Sequence, residues 1–463
     1  MAHGTPATLT LQAQSKLVNI GVGCDGQDLN NIVVQLTAAS AAAALEAILF
    51  IQNQLKSWIA GMRAKAALPL RIELWNGQHV DLSSEAPRVT IRLPTVASAR
   101  YLLNPSLANL GSAYVEGNIE VKGKAQDMIA ICNALARNTL KPEGKLARIG
   151  RSFTHDKSKD AEAIRYHYDV SNAFYEQFLD PDLVYSCAYF EHGDETLAQA
   201  QVKKIDHILK KIQLQPGQSL LDIGCGWGAL VIRAAQHYGA RCVGVTLSEN
   251  QYQLARARVA QAGLGHLVEI RLQDYRDVTG QFDRITSVGM FEHVGLKHLP
   301  NYFSIIHKLL APDGMAMNHG ITSTDPDNGE TPYGGGEFIE KYVFPHGELA
   351  HIGNVLKTMQ QGGLEVLDVE NLRRHYARTC ALWNDNFEAH AEQIRPLAGE
   401  RRFRIWHVYL AGCSYAFEQD LISLYQIVCV KAGQRAAALP WSRNYMYDAK
   451  PIALPPQAPA LAH

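Results

Sequence analysis

Residues 219–228 read Ser-Leu-Leu-Asp-Ile-Gly-Cys-Gly-Trp-Gly. Leu220, Leu221 and Ile223 have the character of a buried strand end, and Gly224, Gly226 and Gly228 follow as a tight turn. Leu230, Ile232, Ala235 and Tyr238 then recur near helical spacing, which predicts an amphipathic helix. A strand, a glycine turn and a helix make the first crossover of a doubly wound sheet, where ligands sit beyond the strand's carboxyl end. Glycine lets the backbone approach such a ligand closely, because no Cβ intervenes. The spacing D-x-G-x-G-x-G, beginning at Asp222, is not the dinucleotide pattern G-x-G-x-x-G.

Downstream of this stretch the chain alternates. Cys242–Thr246, Val268–Leu272, Phe282–Val288 and Met315–Asn318 read as the second to fifth strands. Helices are expected at 195–212, 248–262 and 298–310. This alternation predicts right-handed βαβ units and a parallel sheet. Val366–Val369 and Gln426–Val430 bring the total to seven strands. Residues 331–336, rich in glycine, read as an insert that either covers a site or is an ordinary surface loop. Upstream, residues 36–66 are rich in alanine and leucine and favour helix, with Lys56, Arg63 and Lys65 toward its end. A packed core or dimer helix is the preferred reading there over a membrane-surface helix. Residues 71–82 predict a hairpin turning at Asn76-Gly77 in a type I′ turn, and Val89–Leu93 a further strand. The fold class is therefore α/β: a seven-stranded, doubly wound Rossmann-like domain over 162–432, preceded by a small α+β domain over 1–140. A linker spans 141–161, and a proline-rich tail spans 433–463.

Bulk properties narrow the function. Lys+Arg number 44 against 45 Asp+Glu, so no basic nucleic-acid footprint exists. Eight cysteines lie without Cys-x-x-Cys or Cys/His zinc spacing, which argues against a metal site and against a disulfide framework. No apolar run reaches the roughly 18 residues of a spanning helix, and the first residues lack a secretory pattern. A cytoplasmic location is the expectation.

Residue chemistry marks a pocket at the sheet's carboxyl edge. Thr246 ends the second strand, where such folds often place an acidic residue on ribose hydroxyls, and Gln251 is positioned to supply a polar contact instead. Asp274 and Tyr275 follow the third strand, suited to accept from an adenine amino group and to stack on its face, although Asp274 equally suits a turn cap. Glu292 and His293 follow the fourth strand, and an unpartnered buried Glu292 would be costly.

The glycine loop has the form found in S-adenosylmethionine-dependent methyltransferases. Four longer stretches, 185–190, 221–228, 273–277 and 282–295, resemble the cyclopropane-fatty-acyl-phospholipid synthases and the related mycolic acid cyclopropane synthases. Shorter matches are His167-Tyr-Asp169, Lys341-Tyr-Val-Phe-Pro345, His375-Tyr-Ala-Arg-Thr379 with Trp383, and 409–417. The resemblance runs from about 162 to 430. Tyr114-Val-Glu-Gly117 carries a looser one in the first domain.

The resemblance implies methyl transfer from S-adenosylmethionine to a carbon–carbon double bond, leaving a carbocation that loses a proton from the new methyl as the ring closes. It implies bicarbonate as the base, held by Cys187 through its backbone, Glu292, His319, Ile321 and Tyr376, with Cys413 lining the site. Tyr185, Ser186, Asp222, Gly224, Gly226, Thr246, Gln251, Asp274 and Tyr275 match the cofactor side, and no metal is expected. The implied partners are an unsaturated phospholipid and, transiently, the inner face of a membrane, reached through the first domain or the 36–66 helix; a homodimer is implied more loosely. One departure is local: Asn318-His-Gly-Ile-Thr322 stands where the family usually reads Leu-His-Thr-Ile-Gly, which is expected to alter polarity and shape near the ion. Alternatives are a methylene- or methyl-branched product of the same carbocation, a small-amine N-methyltransferase, and an inactive lipid-binding protein. The filled bicarbonate set speaks against the N-methyltransferase. The intact glycine loop and Glu292 speak against the inactive protein.

Overall fold

The structure, a computed structural model, describes residues 8–13, 16–21, 38–140, 170–327, 333, 335–344, 347–433 and 440–447. His167–Asp169, the expected linker, half of the 331–336 insert and most of the tail lie outside the described residues. The chain divides after residue 142 into two compact units.

In the first unit, β1 (Thr8–Ala13) and β2 (Lys16–Gly21) pair antiparallel. A 28-residue helix, Ala38–Lys65, follows. Its Leu55, Ile59 and Met62, spaced four and three apart, are buried, whereas Leu49 and Phe50 are exposed at 49% and 64%. β3 (Leu70–Glu73), β4 (His79–Asp81), β5 (Val89–Arg92) and β6 (Glu120–Lys122) form a sheet in the order β4-β3-β5-β6. β3 and β4 make the expected hairpin, but not through a type I′ turn. That turn needs positive φ at both central residues. Here Gly77 has φ +80 and Asn76 does not share it. Gly77 N–H bonds to Leu74 O, and Leu74 N–H bonds to Gln78 O, so the loop holds three residues with glycine at its left-handed position.

The second unit holds seven strands: β7 (Ser219–Ile223), β8 (Arg241–Thr246), β9 (Val268–Leu272), β10 (Phe282–Val288), β11 (Leu310–Ser323), β12 (Leu364–Asn371) and β13 (Ile422–Lys431). Their order is β12-β13-β11-β10-β7-β8-β9. β7, β8, β9, β10 and β11 are mutually parallel. The expected parallel sheet is found over these five strands; β13 departs from it and runs antiparallel to both β11 and β12. The reversal follows from what precedes it. Helices Arg373–Ala389, Ala391–Ala398 and Glu400–Glu418 pack on one another and return the chain to the end of the sheet that it left, so no crossover is made.

Strand alternation sorts the core onto two faces. Leu220, Met315 and Val428 pack with Ile205 and Ile208 of helix Leu197–Lys211 and with Val231 of helix Ala229–Tyr238. Leu221, Ile285 and Ile427 pack on the opposite side with Phe303 of helix Leu299–Leu309 and Met359 of helix Ile352–Gln361. Strand order reverses between β7 and β10, and their carboxyl ends open the crevice at which such sheets bind ligands.

Candidate active site

The glycine turn occupies that crevice. Gly224, Gly226 and Gly228 have φ of +79, +56 and +85, a conformation that L side chains rarely adopt. Val245 O accepts from both Gly224 N–H and Cys225 N–H, tying the turn to β8. A Cβ placed on Gly226 would meet nothing within 4 Å, so the backbone there faces open space that a ligand can enter. Asp222 is buried and accepts from Thr286 Oγ1 at 2.7 Å, and burial pushes its carboxyl up to about 6.

One cavity brings together Tyr185, Ser186, Asp222, Gly224, Gly226, Thr246, Gln251 and Tyr275. The Thr246 hydroxyl donates to Gln251 Oε1 at 2.8 Å, which fixes the carboxamide at the end of β8. Tyr275 stands edge-on to Tyr302 with ring centroids 5.4 Å apart. Asp274 is the exception. It caps the short helix Tyr275–Asp277 by accepting from Arg276 N–H at 2.9 Å, and the Arg276 guanidinium holds both its oxygens. Its neighbours Gln273 and Tyr275 line the cavity and Asp274 does not. His293 also lines it and stacks edge-on to Phe344.

Sequence reasoning missed Lys204 and Gln201. Both lie on the buried face of helix Leu197–Lys211, where they interrupt an apolar stripe. Gln201 Nε2 donates to Ser186 O at 2.8 Å, and Lys204 Nζ to Ser186 Oγ at 2.8 Å. Two polar residues at helical spacing inside an otherwise apolar face were the available signal.

Beside this cavity, the six residues assigned to the ion and its surroundings draw together. Ile321 N–H donates to Glu292 Oε1 at 2.7 Å. Glu292 is buried, its Oε2 has no hydrogen-bond partner among the described residues, and burial pushes its carboxyl up to about 7. His319 lies two residues before Ile321, hence on the same face of β11. The Gln426 carboxamide lies 3.2 Å from His319 Nδ1, and His319 Nε2 is buried without a hydrogen-bond partner among the described residues. Burial, then the charges of Lys204 and Lys211, hold His319 well below the usual imidazole range, so the ring is neutral. Cys187, Ile321, Tyr376 and Cys413 belong to one cluster with Trp383 and Phe417. The Cys187 thiol donates to Ala188 O at 3.2 Å, and burial raises it far from thiolate. Tyr376 lies 4.5 Å from Phe417 and 5.9 Å from Trp383, ring to ring.

The departure at 318–322 falls on the other face of β11 and is met only in part, since Asn318 Nδ2 and Thr322 Oγ1 are buried without a hydrogen-bond partner among the described residues. Asn318 Oδ1 lies 3.1 Å from the Tyr302 hydroxyl, so its polarity is directed away from His319. A Cβ on Gly320 would lie 2.0 Å from Phe291 Cε1, so the ring fills the space a side chain would need.

A crevice at the switch point of a seven-stranded sheet, with a glycine turn whose spacing is not that of the dinucleotide-binding pattern, defines a methyltransferase-type nucleoside pocket. The mycolic acid cyclopropane synthetase family matches residues 155–427, and a domain of unknown function matches 58–143. A probable fatty acid methyltransferase of Pseudomonas putida is 46% identical over 383 residues, covering 82% of this chain and 96% of its own. The cyclopropane-fatty-acyl-phospholipid synthase of Escherichia coli K12 is 35% identical over 360 residues, covering 77% and 91%. A solved mycolic acid cyclopropane synthase, complexed with S-adenosylhomocysteine and CTAB, superposes with a TM-score of 0.55 at 36% identity, covering 58% of this chain and 97% of its own. The chain belongs to the cyclopropane synthase family of S-adenosylmethionine-dependent methyltransferases.

Proposed function

We propose that the chain converts the double bond of an unsaturated phospholipid acyl chain into a cyclopropane ring. The observation that carries this reading is the pair of buried, unpartnered polar atoms, Glu292 Oε2 and His319 Nε2, flanking Ile321 beside an aromatic wall. A neutral carboxyl offers a proton or a lone pair, and the imidazole nitrogen offers a donor or an acceptor. Together they fit an ion such as bicarbonate, which has both a hydroxyl and acceptor oxygens.

Bound S-adenosylmethionine supplies an electrophilic methyl group, and bound bicarbonate supplies a base that takes a proton from that methyl once it is on the chain. The protein's part is positioning and electrostatics. Glu292 holds a proton at Oε2, because two bare anions in one pocket would repel. Tyr376 turns an electron-rich ring toward positive charge on the acyl chain. Cys413 and Ile321 keep the surroundings apolar, which strengthens each of these interactions.

A second cavity has an aromatic wall, Tyr342, Trp406 and Tyr409, and a charged rim of the exposed Glu400, Arg401 and Arg402, a pairing that suits an acyl chain with a polar head group. The Tyr409 hydroxyl lies 3.3 Å from that of Tyr185, which lines the cofactor cavity. Among the described residues no helix is long and apolar enough to cross a membrane. Because the proposed substrate is a phospholipid, we assign its capture to transient contact at the inner face of the membrane. The exposed Leu49 and Phe50 give the first unit an apolar edge for lipid contact or for pairing with a second copy.

The test is a product assay. Purified protein, S-adenosylmethionine, bicarbonate and liposomes of a monounsaturated phospholipid are combined, and the lipids are examined by mass spectrometry and proton NMR. A gain of one CH₂ with upfield ring protons is the expected result. The same gain with vinylidene or methyl-branch signals supports the second reading, a branched fatty acid formed from the same carbocation. No gain on any lipid overturns both.

A further inference from the structure

We infer that Lys204 is the residue that recognises the carboxylate of the cofactor's amino-acid end, acting with the Ser186 hydroxyl as a two-donor clamp. The inference rests on the cofactor reading above and adds a residue to it.

Lys204 is 2% exposed, lies midway along helix Leu197–Lys211 and lines the cofactor cavity. A buried ammonium is costly unless an opposite charge or several hydrogen bonds meet it. Among the described residues it has one hydrogen bond, from Nζ to Ser186 Oγ at 2.8 Å. The two nearest acidic groups are committed elsewhere. Asp180 accepts from Val184 N–H and Asp182 N–H, and Asp222 accepts from Thr286. Neither comes within ion-pair distance of Nζ, so two of the three ammonium protons remain for a ligand.

The Ser186 bond has a second consequence. Because Oγ accepts from Lys204, its own proton must donate elsewhere, and Ser186 lines the same cavity. Two donors then converge 2.8 Å apart, a spacing that suits the two oxygens of one carboxylate. The other stretches of the cavity are already spoken for. Tyr275 and Gln273 stand at the end of β9, where the base is expected, and Thr246 with Gln251 stand at the end of β8, where ribose is expected. The region beside Gly224, Tyr185, Ser186 and Lys204 is left for the amino-acid end, the one part of the cofactor that carries a negative charge. Lys204 stays protonated at neutral pH: burial lowers it to about 8, while Cys187, Asp180 and Asp222 pull it upward.

The test compares two ligands on the full chain by calorimetry: S-adenosylhomocysteine and its decarboxylated analogue, which differ only in the carboxylate. The unaltered protein is expected to prefer S-adenosylhomocysteine by tens-fold or more. Lys204→Met should weaken S-adenosylhomocysteine at least tenfold and the analogue less than threefold, so that the preference collapses, while Lys204→Arg retains part of it. Equal losses on both ligands, or no loss, overturn the inference. If Lys204→Met does not fold, Lys204→Gln takes its place, since it keeps a donor to Ser186 Oγ and removes the charge. The preference for S-adenosylhomocysteine should collapse there too, and a preference that survives overturns the inference. Failure of S-adenosylhomocysteine to bind the unaltered protein at all would instead sink the cofactor reading.

Discussion

Glu292 accepts from one backbone N–H through Oε1 and leaves Oε2 in a dry pocket, and burial lifts its carboxyl to about 7. At the residue scale this makes its proton the variable that matters. Glu292→Gln keeps the acceptor for Ile321 N–H but cannot exchange a proton. Turnover should fall about 100-fold or more, with S-adenosylhomocysteine affinity unchanged by calorimetry; unchanged turnover would sink the assignment. The same shift has a stability consequence of definite sign. Between its unfolded value near 4.5 and about 7, the folded protein holds the Glu292 proton that the unfolded chain has released. Stability from this group is therefore complete below pH 4.5 and lost as pH rises through 7, on the order of 3 kcal/mol in all. Glu292→Gln should melt above the unaltered protein at pH 8 and near it at pH 4.5. Much of this was legible in sequence, because a carboxylate after a strand end in a glycine-turn fold has little packing role. Asp274 was less legible. An aspartate that caps a turn and one that holds an adenine occupy the same sequence position, and only the placement of Arg276 separates them.

At the scale of elements, hydrophobic period and turn residues located β9 and β10 to the residue and β7 and β8 nearly so, whereas β11, β12 and β13 extend beyond their expected spans. β11 runs from Leu310 to Ser323, much longer than the apolar Met315–Asn318 that marks its centre. Its ends are held by partners distant in sequence, which no local pattern records. The direction of β13 was hidden for the same reason, since a strand reads alike in both directions. Two substitutions probe these elements. Gly226→Val puts a side chain into the space the turn leaves open and forces φ +56 on a β-branched residue; binding of S-adenosylhomocysteine should disappear, and retained affinity would contradict the placement of the pocket. Gly320→Thr drives a Cβ to 2.0 Å from Phe291 Cε1. Overpacking of this kind costs about 1–3 kcal/mol. Chemical denaturation should show that loss, and Phe291→Leu in the same chain should restore part of it.

At the scale of the second unit, a buried polar network fastens helix Leu197–Lys211 to the sheet edge. Lys211, fully buried, and His207 both meet Glu370 of β12, at 2.5 and 2.8 Å. Arg443 pairs with the neighbouring Asp368. Glu370→Gln would leave the buried Lys211 with only Asp368, 3.9 Å away and shared with Arg443, as its carboxylate partner, and should cost up to about 3 kcal/mol, measured by denaturation at pH 7. His207, Lys211 and their bonds hold the Glu370 carboxyl down to about 2, so its contribution is present above pH 4.5 and drains away as pH falls toward 2. Flat stability over that interval in the unaltered protein would contradict it. The reversal of β13 bears on how such a molecule diversifies. Because β12 and β13 are antiparallel neighbours, residues 372–421 leave and re-enter the sheet at one rim as a single continuous excursion. That excursion carries Tyr376, Trp383, Trp406, Tyr409 and Cys413, while the glycine turn and the cofactor cavity's sheet edge lie wholly outside it. Under the proposed function, one continuous excursion thereby supplies much of the aromatic surroundings of the acceptor, while Glu292, His319 and Ile321 come from the sheet's carboxyl edge. A relative's version of it would have to keep the bonds of Thr379 to Ala188 and of Tyr409 to Tyr185.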